Sequence, residues 1–261
     1  MKNYVSISFM IALLIIFPFH QNTVYSYGWG YKKNNHNERP DFGNYAEIVQ
    51  DYDAIYADIT DEKVIYLTFD NGYEQGYTSK FLDILKKHHV PATFFVTGHY
   101  VETAPDLVKR MVDEGHIVGN HSYNHPDFTT MSKEEIKKEL EMLEEAVADV
   151  SSQKEMKYLR PPRGTFDENT LKWTSELGYT HVFWSLAFKD WETNKQKGWE
   201  YAFNEVISQV HPGAIILLHT VSKDNVEALD QIITHLKKEG YHFKSLDDLM
   251  IKKYLNEDLL F

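Results

Sequence analysis

The stretch VIYLTFDNGYEQGYTSKFLDILKKHHVPATFFV, Val64–Val96, decides the fold. Val64 to Phe69 is a nearly unbroken apolar run and reads as a strand buried on both faces. Thr78 to His88 sets Phe81, Leu82 and Leu85 on one face of a helix. Ala92 to Val96 reads as a second strand. Strand, helix, strand in this order is the unit of a parallel sheet with right-handed crossovers.

The alternation continues downstream. Ala104 to Glu114 reads as a helix with Pro105 in its first turn, and His116 to Gly119 as a short strand. Ser132 to Val150 reads as a long helix, capped by Ser132 with Glu135 three residues on, and its apolar stripe is Ile136, Leu140, Leu143 and Val147. Tyr158 to Arg160 is a strand and Asp167 to Leu177 a helix closed by Gly178. Strands at His181–Ser185, Ala214–Leu218 and Tyr241–Phe243 follow, with helices at Tyr201–Val210 and Asn225–Glu239 between them. About seven such units close or nearly close a barrel, whose chemistry belongs at the C-terminal ends of its strands.

The N-terminus reads differently. Lys2 followed by the apolar run Val5 to Phe19, with Val24 and Ser26 at a cleavage point, resembles a secretory signal over residues 1–26. An uncleaved anchor is the alternative. Residues 27–61 read as an extension that packs across a catalytic domain at 62–261. The rings of Tyr27, Trp29 and Tyr31 either pack there or line a sugar groove. The chain has no cysteine, so its stability must come from packing. Its 27 basic and 39 acidic residues give a formal charge of −12, which argues against a nucleic-acid partner. An acidic substrate must therefore be met by a local cation.

Polar residues gather behind the strands: Asp70-Asn71 after the first, His121 and His125 after the third, Arg160 to Gly164 after the fourth, Asp190-Trp191 after the fifth and His219 after the sixth. A barrel core needs none of them there. Two imidazoles four positions apart suit a metal. Arg160 can keep Asp70 ionised, ready to take a proton from a nearby metal-bound water. Asp190 can fix the tautomer of His219. A plain core histidine is the alternative for His219.

Thr68-Phe69-Asp70-Asn71-Gly72, His121-x-x-x-His125, Arg160-Pro161-Pro162-Arg163-Gly164, Asp190-Trp191 and Ile216-Leu217-Leu218-His219 resemble the five ordered motifs of the polysaccharide deacetylases, the NodB-homology domains of carbohydrate esterase family 4. The resemblance spans about Val64 to Leu249. It implies a distorted (β/α)7 barrel of the α/β class. It also implies Asp70 as general base, oriented by Arg160, and His219 as general acid, supported by Asp190. Asn71, His121 and His125 would be metal ligands. A divalent ion, zinc by its ligands, would be weakly held because Asn71 replaces the usual aspartate. Arg163 replaces a usual tyrosine. With Phe69 to Glu74, it resembles the muramic δ-lactam de-N-acetylases of spore-forming bacteria. Arg163, Trp191, Leu217 and Tyr73 are the expected substrate contacts.

The reading that follows is an exported hydrolase that de-N-acetylates N-acetylmuramic acid in spore cortex peptidoglycan. It would act in the cell wall or forespore intermembrane space as a monomer on the glycan strand, with no stable protein partner. Deacetylation of N-acetylglucosamine in peptidoglycan or chitin is one competitor. A wall-binding module with a dead site, Asn71 being the scar, is another. A glycosidase would need two carboxylates about one bond, and Asp70 with Asp190 is the only obvious pair.

Overall fold

A computed structural model describes residues 25–258. All but the last two residues of the expected signal segment lie outside that range. Among the described residues, no helix is long and apolar enough to cross a membrane.

The elements run β1 (Tyr27–Gly28), α1 (Tyr45–Gln50), β2 (Val64–Asn71), α2 (Thr78–His88), β3 (Ala92–Val96), α3 (Gly98–Thr103), α4 (Pro105–Asp113), β4 (Ile117–Asn120) and α5 (Lys133–Val150). There follow β5 (Tyr158–Leu159), β6 (Thr165–Phe166), α6 (Glu168–Glu176), β7 (Thr180–His181), α7 (Trp199–Gln209), β8 (Ala214–His219), α8 (Lys223–Lys238), β9 (His242–Phe243) and α9 (Leu246–Asp258). The main sheet has the order β7-β5-β4-β3-β2-β8, with β9 beside the start of β2, and every pairing in it is parallel. The expected α/β barrel of curled parallel strands is therefore present.

The strand expected over His181–Ser185 is shorter. Only Thr180 and His181 form β7, because the following residues divide their hydrogen bonds between two sides. Val182 N donates to Leu159 O and Phe183 N to Ile55 O, while Ser185 N donates to Ile215 O. Leu186 then bridges Ile216 in parallel. The chain thus leaves β5 and reaches β8, which closes the curled sheet into a distorted ring.

Alternation along β2 sorts its residues into two layers. Ile65, Leu67 and Phe69 face the helices, where Phe69 stacks on Phe94 with ring centres 5.0 Å apart and meets Phe81. Tyr66 points inward with Phe95, Tyr158 and Ile215. Thr68 and Asp70 share that inner side, reached there by Arg160. Helix α5 begins as the sequence indicates, with a reciprocal capping box between Ser132 and Glu135.

The N-terminal aromatics pack. Strand β1 pairs antiparallel with β6, and Trp29 N donates to Gly164 O at 2.8 Å. The Trp29 ring stacks on Phe183 at 4.4 Å and its Nε1 donates to Trp184 O. Tyr31 exchanges hydrogen bonds with the backbone of Ala187.

Candidate active site

At the C-terminal mouth of the barrel lies a cavity of about 470 Å³, within the size range of small-ligand sites. Asp70, His121, His125 and His219 line its polar side, and Leu217, Trp184 and Trp191 its apolar side. Tyr73 and Arg163 also reach it.

Asp70 is fixed from beneath. Arg160 is wholly buried, and its Nη1 donates to Asp70 Oδ1 at 2.8 Å. Its Nη2 donates to Thr68 Oγ1 at 2.8 Å and its Nε to Val182 O at 3.0 Å. The guanidinium lies 4.2 Å from the centre of the Phe95 ring. Burial alone would raise the Asp70 carboxyl, but the positive charge of Arg160 above all, with its hydrogen bond, outweighs it and holds Asp70 below the usual carboxylate range. Asp70 is therefore ionised at neutral pH.

His219 follows the opposite logic. Asp190, buried, accepts from His219 Nδ1 at 2.7 Å through one oxygen and from His219 N at 2.8 Å through the other. Asn225 donates to that second oxygen. Burial would lower the imidazole, and the Asp190 carboxylate beside it overcomes this and raises it. The bond at Nδ1 leaves Nε2 available to the cavity. The Trp191 ring stands 5.4 Å from that of His219 and is half exposed.

His121 and His125 meet edge to face with ring centres 4.8 Å apart. His121 Nδ1 donates to Arg160 O at 2.8 Å, which leaves Nε2 unprotonated and 3.5 Å from Asp70 Oδ2. Burial lowers both imidazoles, His125 to about 4, so both are neutral at pH 7, the form that binds a metal. His125 sits in a left-handed conformation at φ 56°, as does Ser122 at φ 62°. The Ser122 hydroxyl accepts from His125 N at 2.9 Å and braces that loop.

Asn71 is placed elsewhere than its expected role requires. As the neighbour of Asp70 on an alternating strand it turns to the opposite face, fully buried, and it does not line the cavity. Its amide donates to Thr220 Oγ1 at 2.8 Å, and its Oδ1 is buried without a partner. Among the described residues no three His, Cys, Asp or Glu side chains form a metal-holding group. The two neutral imidazoles fit two places around a divalent ion. The third, which the resemblance gives to Asn71, is not offered from the cavity side.

Arg163 is exposed at φ 60°, in a loop pressed close by Gly164. A Cβ on Gly164 would come within 2.7 Å of the Trp184 ring, so that position admits only glycine at its positive φ. Among the described residues Arg163 makes no salt bridge, and Glu74 is taken by Gly76 N, the Thr78 hydroxyl and the Tyr100 hydroxyl. Thr68, Trp184 and Asn225 complete the site without having been expected. Thr68 shares the inner face with Asp70 two residues on, a signal the strand period carries. Asn225 comes from the first turn of α8 and nothing in its local sequence marks it.

A parallel α/β barrel whose mouth holds an ionised carboxylate, a carboxylate-backed imidazole and two neutral histidines defines a hydrolase. The chain belongs to the polysaccharide deacetylases, carbohydrate esterase family 4: residues 57–182 match the family described as "Polysaccharide deacetylase". It is 57% identical over 226 residues to the peptidoglycan-N-acetylmuramic acid deacetylase PdaA of Bacillus subtilis, covering 86% of each chain. The solved structure of that family 4 carbohydrate esterase superposes with a TM-score of 0.86 at 56% identity, over 87% of this chain and 98% of the other. A peptidoglycan-N-acetylglucosamine deacetylase of Bacillus cereus is 35% identical, over 77% of this chain and 73% of its own. The family is generally metal-dependent.

Proposed function

We propose that the protein hydrolyses the acetamido group of N-acetylmuramic acid in peptidoglycan whose stem peptide has been removed. The freed amine can then close on the lactyl carboxylate as the muramic δ-lactam of spore cortex. Asp70, ionised and held by Arg160, takes a proton from the attacking water. The water oxygen adds to the amide carbon and gives a tetrahedral oxyanion, turned toward the loop that carries the Arg163 backbone N–H. His219, whose protonated form the Asp190 carboxylate favours, gives its proton to the nitrogen as the C–N bond breaks and acetate leaves. Leu217 lines the wall against which the acetyl methyl packs, and Tyr73 and Trp191 offer rings to the sugar.

His121 and His125 would hold a divalent ion, zinc by the chemistry of imidazole, and when bound it would polarise the acetyl carbonyl. With Asn71 bonded to Thr220 and off the cavity wall, and carrying no charge in any case, such an ion would be weakly held. A neighbouring hollow of about 500 Å³, bounded by Tyr73, His99, Glu102 and Tyr123, leaves room for the next sugar of the strand. The enzyme would work as an exported monomer in the wall or the forespore intermembrane space.

The observation that carries the substrate choice is Arg163. It is a cation on the cavity wall of a chain of net charge −12, and among the described residues it makes no salt bridge, although Asp127 lies within reach of its charge. Muramic acid differs from glucosamine by a lactyl ether, which ends in a free carboxylate once the peptide is gone, and a guanidinium binds a carboxylate through two parallel hydrogen bonds. Mass spectrometry of glycan strands treated with the purified protein tests the reading. Loss of acetyl should fall on peptide-free muramic acid. Loss confined to glucosamine residues would refute it. In the same assay Asp70→Asn and His219→Ala should each lose about 10²-fold or more in turnover while remaining folded.

A further inference from the structure

We infer that Asn71 and Thr220 form a clamp that holds the proposed base and acid in register across the barrel mouth. The inference rests on the assignment of Asp70 and His219 to those roles. Asp70 and His219 are the last paired residues of β2 and β8. One residue further, the backbone ladder stops and a side-chain bond replaces it: Asn71 Nδ2 donates to Thr220 Oγ1 at 2.8 Å. Both residues are buried, at 0% and 1% exposure, behind the strands and away from the cavity. Asn71 O also accepts from Thr97 N at 3.2 Å, which ties the same point to the end of β3.

Arg160 orients Asp70 from one side, and Asp190 with Asn225 orients His219 from the other. The Asn71–Thr220 bond is the outermost link between the two strands that carry them. An amide suits the position. Its Nδ2 supplies the donor and Thr220 Oγ1 the acceptor, both of them buried. Asn71 and Thr220 are thus positioning residues, and Asn71 need not be a metal ligand to matter.

The test is Thr220→Val, which removes the hydroxyl at nearly constant volume, against Thr220→Ser, which keeps it. Deacetylation by Thr220→Val should fall roughly 10- to 100-fold in kcat with KM nearly unchanged, since misplacement by about 1 Å costs on that order. Thr220→Ser should restore most of it. Thr220→Ala carries the same expectation as valine should the valine protein fail to fold. The double variant Asn71→Ala/Thr220→Val should be no slower than the slower single one, because both break one bond. Zinc affinity, read by competition with a chromogenic chelator, should equal that of the wild type in Thr220→Val. Wild-type kcat in both Thr220→Val and Thr220→Ala would overturn the clamp. So would zinc affinity falling in step with kcat, which would make Asn71 a ligand and Thr220 its support. Full activity in Asp70→Asn or His219→Ala would instead refute the underlying assignment.

Discussion

Arg160→Leu separates the electrostatic role of Arg160 from its packing. Its guanidinium is wholly buried, bonds Asp70 and Thr68 at 2.8 Å each and stacks on Phe95. Removing it leaves the Asp70 carboxylate buried, with His121 Nε2 at 3.5 Å as its near neighbour. Breaking a buried pair from one side costs about 3–5 kcal/mol. At about 2–4 °C per kcal/mol for a chain of this size, the midpoint should fall by roughly 6–20 °C. Asp70→Asn added to Arg160→Leu should recover about half of the loss or more, because the stranded charge is then gone. The pH dependence has a fixed sign. Asp70 is depressed in the folded protein, so its contribution is present above the ordinary carboxylate pKa of about 4 and is lost as pH falls through its lower folded value. In Arg160→Leu, burial pushes the carboxyl up, so the gap to wild type should already narrow as pH falls from 7 toward about 4, and narrow further below it. Urea unfolding in chelator at pH 7 and near pH 4 measures both. Equal stability of the single and double variants, or a gap independent of pH, would refute the reasoning.

The remaining predictions concern activity. Asp190→Asn removes the charge that raises His219 against its burial, so the basic limb of the kcat–pH profile should move to lower pH; an unmoved limb would remove Asp190 from that role. Arg163→Tyr should lose about 1.5–3 kcal/mol of transition-state binding, roughly 10- to 150-fold in kcat/KM, on peptide-free muramic acid. The loss on an N-acetylglucosamine oligomer should be much smaller, and an equal loss on both would mean that Arg163 supports the site without reading the lactyl group. Chelator should strip the metal easily and abolish activity, with recovery on adding zinc; full turnover in protein shown to be metal-free would end the metal-assisted mechanism.

Periodic segments could be read closely in the sequence because their signals are local. Helix α2, strand β3 and the capped helix α5 fall where the apolar spacing and Ser132 put them. Strand β2 runs on through Asp70 and Asn71, so the residues read as following the strand belong to it. That difference decides which way Asn71 faces, and its spacing from the histidines could not reveal it. The short β7 was overestimated because Val182 to Trp184 is apolar for burial, while the backbone bonds of this stretch go to separate partners distant in sequence. Asp190 was legible as a partner for His219. Asn225 and Thr220 were not, since each acts through a contact that exists only once β8 and α8 have packed.

The pairing of β1 with β6 bears on how the protein should be handled. The family match begins at residue 57, yet Trp29, Phe42 and Val49 form one buried cluster with Phe166, Leu171 and Phe183. Trp29 also holds the backbone of Gly164, next to Arg163. An expression fragment cut at the family boundary would strip that cover, leave Phe166 and Phe183 to solvent and free the loop that presents the cation. Such a fragment would be a poor reagent: prone to associate through its bared rings, and misleading about selectivity. The smallest faithful version of this enzyme starts no later than Tyr27.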